Sequence, residues 1–180
     1  MSSTSDNQLL KMLAVSIVDN PRSTIKDLAE SVGISKATLH RYCGTREKLD
    51  LMLHNKVYET LGNLIQVAEM ESEDYLAGLK KLTEAHYDNK EYLRYMYIIQ
   101  VCEEEAFWQS YFKAIDTFFL KGQKAGIFNI EFGVSVLSEI YVSAICGLID
   151  AERRGRVASN GIEAIFEKLF LFGALDASQK

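Results

Sequence analysis

Apolar residues recur at spacings of three and four along most of this 180-residue chain, the repeat of one face of a helix. Leu9, Leu10, Leu13, Ile17 and Val18 predict a first helix over 6–19, stopped by Asn20-Pro21. Thr24-Ile25-Lys26-Asp27 has the form of a capping box with Asp in place of Glu. Behind it, Ile25, Leu28, Ala29 and Val32 mark a short second helix that Gly33 ends. Ser35 can cap a third helix running to about Tyr42. From Thr45, one pattern (Leu49, Met52, Leu53, Val57, Leu61, Leu64, Ile65, Ala68) continues to about Met70. At the usual helical rise this element is about 35–40 Å long, enough to join two parts of a molecule rigidly. Glu71-Ser72-Glu73-Asp74 reads as a connection, and further helices are expected over 73–89, 91–103, 105–125, 130–154 and 160–173. Paired strand and hairpin signals are absent, so the expectation is an all-α fold.

Composition sharpens this picture. With 48% apolar and 25% charged residues the chain has globular proportions, and a single proline suits long helices. Uninterrupted apolar runs are only a few residues long, so no membrane span is expected. The polar start, Met1–Asn7, lacks the basic-then-apolar order of a secretory signal. Cys43, Cys102 and Cys146 form no CxxC pair, which points to neither a zinc site nor a disulfide framework. The expectation is a reduced, cytoplasmic protein with no metal and no cofactor.

Charge is unevenly placed. The net value is −5, which argues against a general nucleic-acid coat. Residues 1–60 hold 8 Lys/Arg against 7 Asp/Glu, a net of +1, and residues 61–180 hold 12 against 18, a net of −6. DNA binding by the first part would therefore depend on local placement of charge.

The informative stretch is 25–44, IKDLAESVGISKATLHRYCG. Ala29 is small where a second helix would cross closely, Gly33 permits a tight reversal, and Ile34 and Leu39 would fill the space between two helices. This is the helix-turn-helix pattern, whose second helix enters the major groove. An ordinary αα-hairpin has the same packing needs. The second helix, however, presents Ser35, Lys36, Thr38, His40, Arg41 and Tyr42 with no acidic residue among them.

The run DLAESVGISKATLHRYCGTREKLDLML resembles the DNA-binding segment of tetracycline-repressor (TetR) family regulators. Gly33, Ile34, Ser35, Ala37, Thr38, Leu39 and Tyr42 match the usual residues. His40 stands where Tyr is common, Arg46 at the usual Lys, and Cys43-Gly44 at the frequent Phe-Pro. The close match covers 24–53. The resemblance implies a helix-turn-helix three-helix domain over 1–48, joined by the long helix to a C-terminal effector and dimerisation domain over 49–180. It implies that Lys36, Ala37, Thr38 and His40 face the groove. Lys36 would donate to guanine, and Ala37 and the Thr38 methyl would meet thymine methyls. His40, Tyr42 and Arg46 would contact phosphate or sugar, Thr24, Ser35 and Thr45 would stand at helix N-termini, and Arg41 would reach DNA or pair within the protein.

In the second part, 130–154 is apolar on two sides. Val134, Leu137, Tyr141, Ile145 and Leu148 form one stripe, and Val136, Ile140, Ala144, Gly147 and Ala151 another. Ile162, Ile165, Phe166, Leu169, Phe170 and Gly173 form a matching stripe on the last helix. The resemblance implies a homodimer contact through Leu137, Tyr141, Ile145, Leu148, Ile165, Phe166 and Leu169; deep burial in one monomer is the alternative. Between 86 and 132 aromatics are dense. In relatives of this kind that region surrounds an effector, so Tyr92, Tyr95, Met96, Trp108, Tyr111 and Phe112 are pocket candidates. Such a lining suits an aromatic or cationic small molecule, and Glu103, Glu104 and Glu105 would add negative charge. Taken singly, each aromatic reads more simply as core, and His54 and His86 as surface or satisfied core residues.

The function expected is therefore a repressor of transcription that binds a double-stranded operator and is released by a small-molecule effector. Two alternatives remain open at this stage: the same fold controlled by a protein partner, and a helical module that binds no DNA. An enzyme is not expected, since HExxH, GxSxG, a Gly-rich phosphate loop and a Cys/His cluster are all missing.

Overall fold

The structure, a computed structural model, describes residues 2–70, 74–99 and 105–173. Glu71–Glu73 of the expected connection, Cys102, Glu103, Glu104 and the side chain of Glu105 lie outside the described residues. The described residues form nine helices and no strand: α1 (Ser2–Asp19), α2 (Ile25–Ser31), α3 (Lys36–Cys43), α4 (Arg46–Glu69), α5 (Tyr75–Asp88), α6 (Lys90–Ile99), α7 (Glu105–Lys124), α8 (Val134–Arg153) and α9 (Ile162–Phe172). Packing divides the chain into two compact units, Met1–Leu61 with Asn89–Glu104, and Gly62–Asp88 with Glu105–Lys180.

In the first unit α1 packs on α6 and α2, and α2 packs on α3. Leu13, Ala14 and Ile17 of α1, Leu28 and Ala29 of α2, Leu39 of α3, and Leu49, Leu53 and Val57 of α4 form its core. Four buried residues of α6, Tyr92, Leu93, Tyr95 and Met96, join them. Tyr92 donates to Asn7 Oδ1 at 2.8 Å, and Lys11 pairs with Glu91 at 3.4 Å, so α6 is tied to α1 by polar as well as apolar contacts.

The second unit has an aromatic core. α7 packs on α8, and α5 packs on α9 and α8. Phe119, Tyr141, Phe166 and Phe170 form one continuous ring cluster with centroids 5.5–5.8 Å apart. Phe128, in the connection after α7, folds back over Gly122, where a Cβ would overlap its ring. α8 is long and apolar enough to cross a membrane by length and composition alone, the one such helix among the described residues. Its apolar residues divide between two faces. Ser138, Tyr141, Val142, Ile145 and Ile149 point into the unit's core, and Val136 and Ile140 remain more than half exposed.

Candidate nucleic-acid interface

The helix-turn-helix is built from local signals. Thr24 caps α2: its Oγ1 accepts the Asp27 N–H at 3.3 Å, and the Asp27 carboxylate accepts the Thr24 N–H at 2.8 Å. These bonds hold the Asp27 carboxyl below its usual range. At the other end Gly33, with φ +74°, closes the helix by donating to Glu30 O, and Ile34 N–H donates to Ala29 O at 2.9 Å. That pair of bonds is the Schellman arrangement, which needs the left-handed residue that glycine supplies. Ser35 then caps α3, accepting the Thr38 N–H at 3.1 Å.

Leu39 and Cys43 anchor α3 inward. Lys36, Ala37, His40 and Arg41 are exposed and share one face at helical spacing. Among the described residues no carboxylate pairs with Lys36, His40 or Arg41. Thr38 is half-buried, and its hydroxyl is engaged with Ser35 Oγ at 2.9 Å. Thr45 is exposed at the start of α4, where its Oγ1 accepts the Lys48 N–H.

Two expected contacts are used inside the protein. Tyr42 donates its hydroxyl to Asp6 O at 3.0 Å, which ties α3 to α1, and burial raises its pKa. Arg46 donates through Nε to the Asp50 carboxylate at 3.0 and 3.1 Å, through Nη1 to Ser23 O at 2.6 Å and through Nη2 to Pro21 O at 3.5 Å. Sequence spacing could not show this, because Ser23 and Arg46 are remote along the chain.

The six pocket candidates do not share one unit. Tyr92, Tyr95 and Met96 are core residues of the first. Tyr95 touches His54 of α4 and lies beside Asp50 and Arg46; burial first, then Asp50, pushes its hydroxyl up to about 12. Trp108, Tyr111 and Phe112 cluster in the second unit at centroid distances of 5.5–5.7 Å. Tyr111 is buried against His86, whose Nδ1 lies 2.7 Å from Leu82 O and whose Nε2 lies 2.7 Å from the Tyr111 hydroxyl. A carbonyl only accepts, so Nδ1 carries the proton and Nε2 accepts from Tyr111. Burial holds the imidazole neutral, with its pKa lowered to about 4. The sequence leaves His86 open between a surface residue and a satisfied core residue, and the structure buries it.

The dimer candidates divide likewise. Tyr141, Ile145 and Phe166 belong to the unit's own core, with Phe166 alone of the three reaching the floor of the apolar groove beside it. The inward face of α8 passes through Ser138 and Val142 as well, so Leu137 and Leu148 fall on its flank. There, with Ile140, Ala144 and Leu169, they line an open apolar groove of about 470 Å³. Ile165 stands exposed beside it.

The description "Winged helix-turn-helix DNA-binding" matches residues 5–45, the stretch of α1 to α3. The HTH-type transcriptional regulator NfxB of Pseudomonas aeruginosa is 42% identical over 175 residues, covering 94% of each chain. Among solved structures, the MbdR regulator from Azoarcus sp. CIB matches with a TM-score of 0.71 at 17% identity, over 97% of this chain and all of that one. The TetR-like regulator LfrR from Mycobacterium smegmatis, solved in complex with proflavine, matches with a TM-score of 0.62 at 15% identity, over 98% of this chain and 99% of that one. The chain belongs to the TetR family of transcriptional regulators. Its helix-turn-helix is thus a DNA-binding element, and the chain is a regulator rather than an enzyme. Its described residues contain no strand, so this TetR-family protein carries no wing among them.

Proposed function

We propose that this TetR-family protein is a cytoplasmic, homodimeric repressor whose α3 reads an operator in the major groove and which a small molecule releases. The observation that carries the reading is the exposed face of α3, where Lys36, Ala37, His40 and Arg41 stand together without an acidic neighbour on the helix. Lys36 donates to a guanine edge, Ala37 and the Thr38 methyl meet thymine, and His40, Arg41 and the exposed Thr45 contact the backbone. Thr24 and Ser35 cap and orient the two helices, Tyr42 braces α3 against α1, and Arg46 acts within the protein.

One short recognition helix binds weakly, and a two-fold dimer places two of them on half-sites. Val136, Ile140, Ile165, Leu169 and Phe172, each 50–67% exposed, support a partner on the outer face of α8 and α9. A second copy, rather than lipid, covers that face. The effector binds in the second unit near Trp108 and Phe112, both half-buried, and displaces α4. The proflavine bound to LfrR is a flat aromatic cation of the class those rings suit. Effector and DNA then oppose each other by the same factor in both directions.

The test begins with a duplex selected by the protein from a random pool. Anisotropy over a salt series, with sedimentation of the complex, should show two chains per site and binding that falls steeply with salt. Proflavine should release the duplex. One chain per site would overturn the dimer, and equal proflavine affinity with and without duplex would overturn release by that class of effector.

A further inference from the structure

We propose that Arg46 is a clasp closing the two ends of the helix-turn-helix, a positioning residue for α3 rather than a phosphate contact; this rests on the reading that α3 faces DNA. The chain enters the motif through the loop 20–24 and leaves it at Gly44-Thr45. Arg46 stands just after the exit, and its guanidinium holds two carbonyls of the entry loop, those of Ser23 and Pro21. Everything between these contacts is α2, the turn and α3, which pack on each other. The clasp therefore fixes where the packed pair sits against the start of α4.

Charge supports the same assignment. The Asp50 carboxylate sits 3.0 Å from Nε and neutralises the cation that a phosphate contact would need. The three guanidinium nitrogens are already donating to three different residues, and the pair is only about a quarter to a third exposed. A lysine has the charge without the planar fork, so it cannot reach the carboxylate and both carbonyls together. Asp50 completes the device by orienting the fork, one helical turn along α4.

Three variants test it on the selected duplex: Arg46→Lys, Arg46→Met and Asp50→Asn. A clasp predicts that all three weaken binding by about tenfold, the scale of a lost charge-assisted bond, with the salt slope unchanged. It also predicts faster hydrogen exchange in the DNA-free protein at the Ser23 amide, which is bonded to Asn20 O at 3.1 Å. A phosphate contact predicts the opposite pattern: Arg46→Lys binds as well as the original, Asp50→Asn binds more tightly, and Arg46→Met lowers the salt slope by about 0.9. That pattern, or unchanged exchange at Ser23, overturns the clasp. Lys36→Ala separates the two readings. If it leaves binding intact, the assignment of α3 fails, and the exchange measurement still decides whether Arg46 holds the loop.

Discussion

The two units dispose of their apolar residues in opposite ways. The first buries mainly aliphatic side chains, with Tyr92 and Tyr95 of α6 among them, and shows solvent a polar face on α3. The second buries a cluster of rings and still leaves the outer side of α8 and α9 apolar. The DNA reading proposed for the first unit thus rests on a few exposed polar groups of α3. The assembly assigned to the second resides in shape and in surface that one chain does not cover.

The largest effect that separates the units should come from that outer face. Ile140→Asp places a carboxylate on each side of the proposed two-fold contact and should raise the dimer dissociation constant by about a hundredfold or more, read by sedimentation. Thermal unfolding of the monomer should change little, because Ile140 is 54% exposed. Leu39→Ala should do the reverse: it empties a fully buried site beneath α3 and should cost about 2–5 kcal/mol in denaturant unfolding, leaving dimerisation in place.

Acid should discriminate the units as well. His86 is neutral in the folded state with a pKa of about 4, against 6.5 for the ordinary side chain. The unfolded chain therefore binds the proton first. Stability of the second unit should fall as pH drops from about 7 to 4, by about 3 kcal/mol from this group. His86→Gln should flatten that part of the pH profile, and an unchanged profile would remove the assignment. The smallest effect is at the first unit's cap, where Thr24→Ala should cost about 1 kcal/mol by calorimetry.

Legibility in the sequence followed the range of each interaction. The Thr24–Asp27 cap, the Gly33 turn, the Ser35 cap and the helix spans are all set within a few residues, and each shows as a spacing. The placement of Tyr92, Tyr95 and Met96 depends on α6 packing against α1, a contact made across the chain. The face of α8 that turns inward was undecided in the sequence because both sides are apolar. Ser138, a polar residue at zero exposure, lies on the buried side although neither apolar stripe includes it. The Arg46 clasp was hidden for the same reason, since its partners Pro21 and Ser23 precede it by a whole supersecondary unit.

Everything proposed for the first unit depends on the exposed face of α3 reading DNA. The direct measurement is anisotropy of the selected duplex with the original protein and with a Lys36→Ala, His40→Ala variant, each at several salt concentrations. The variant should lose about 1–3 kcal/mol of binding at the Lys36 position and relax sequence preference there, with an unchanged fold by circular dichroism. Equal affinity and equal sequence preference in the two proteins would contradict it, and would leave residues 25–44 as a hairpin that serves packing alone.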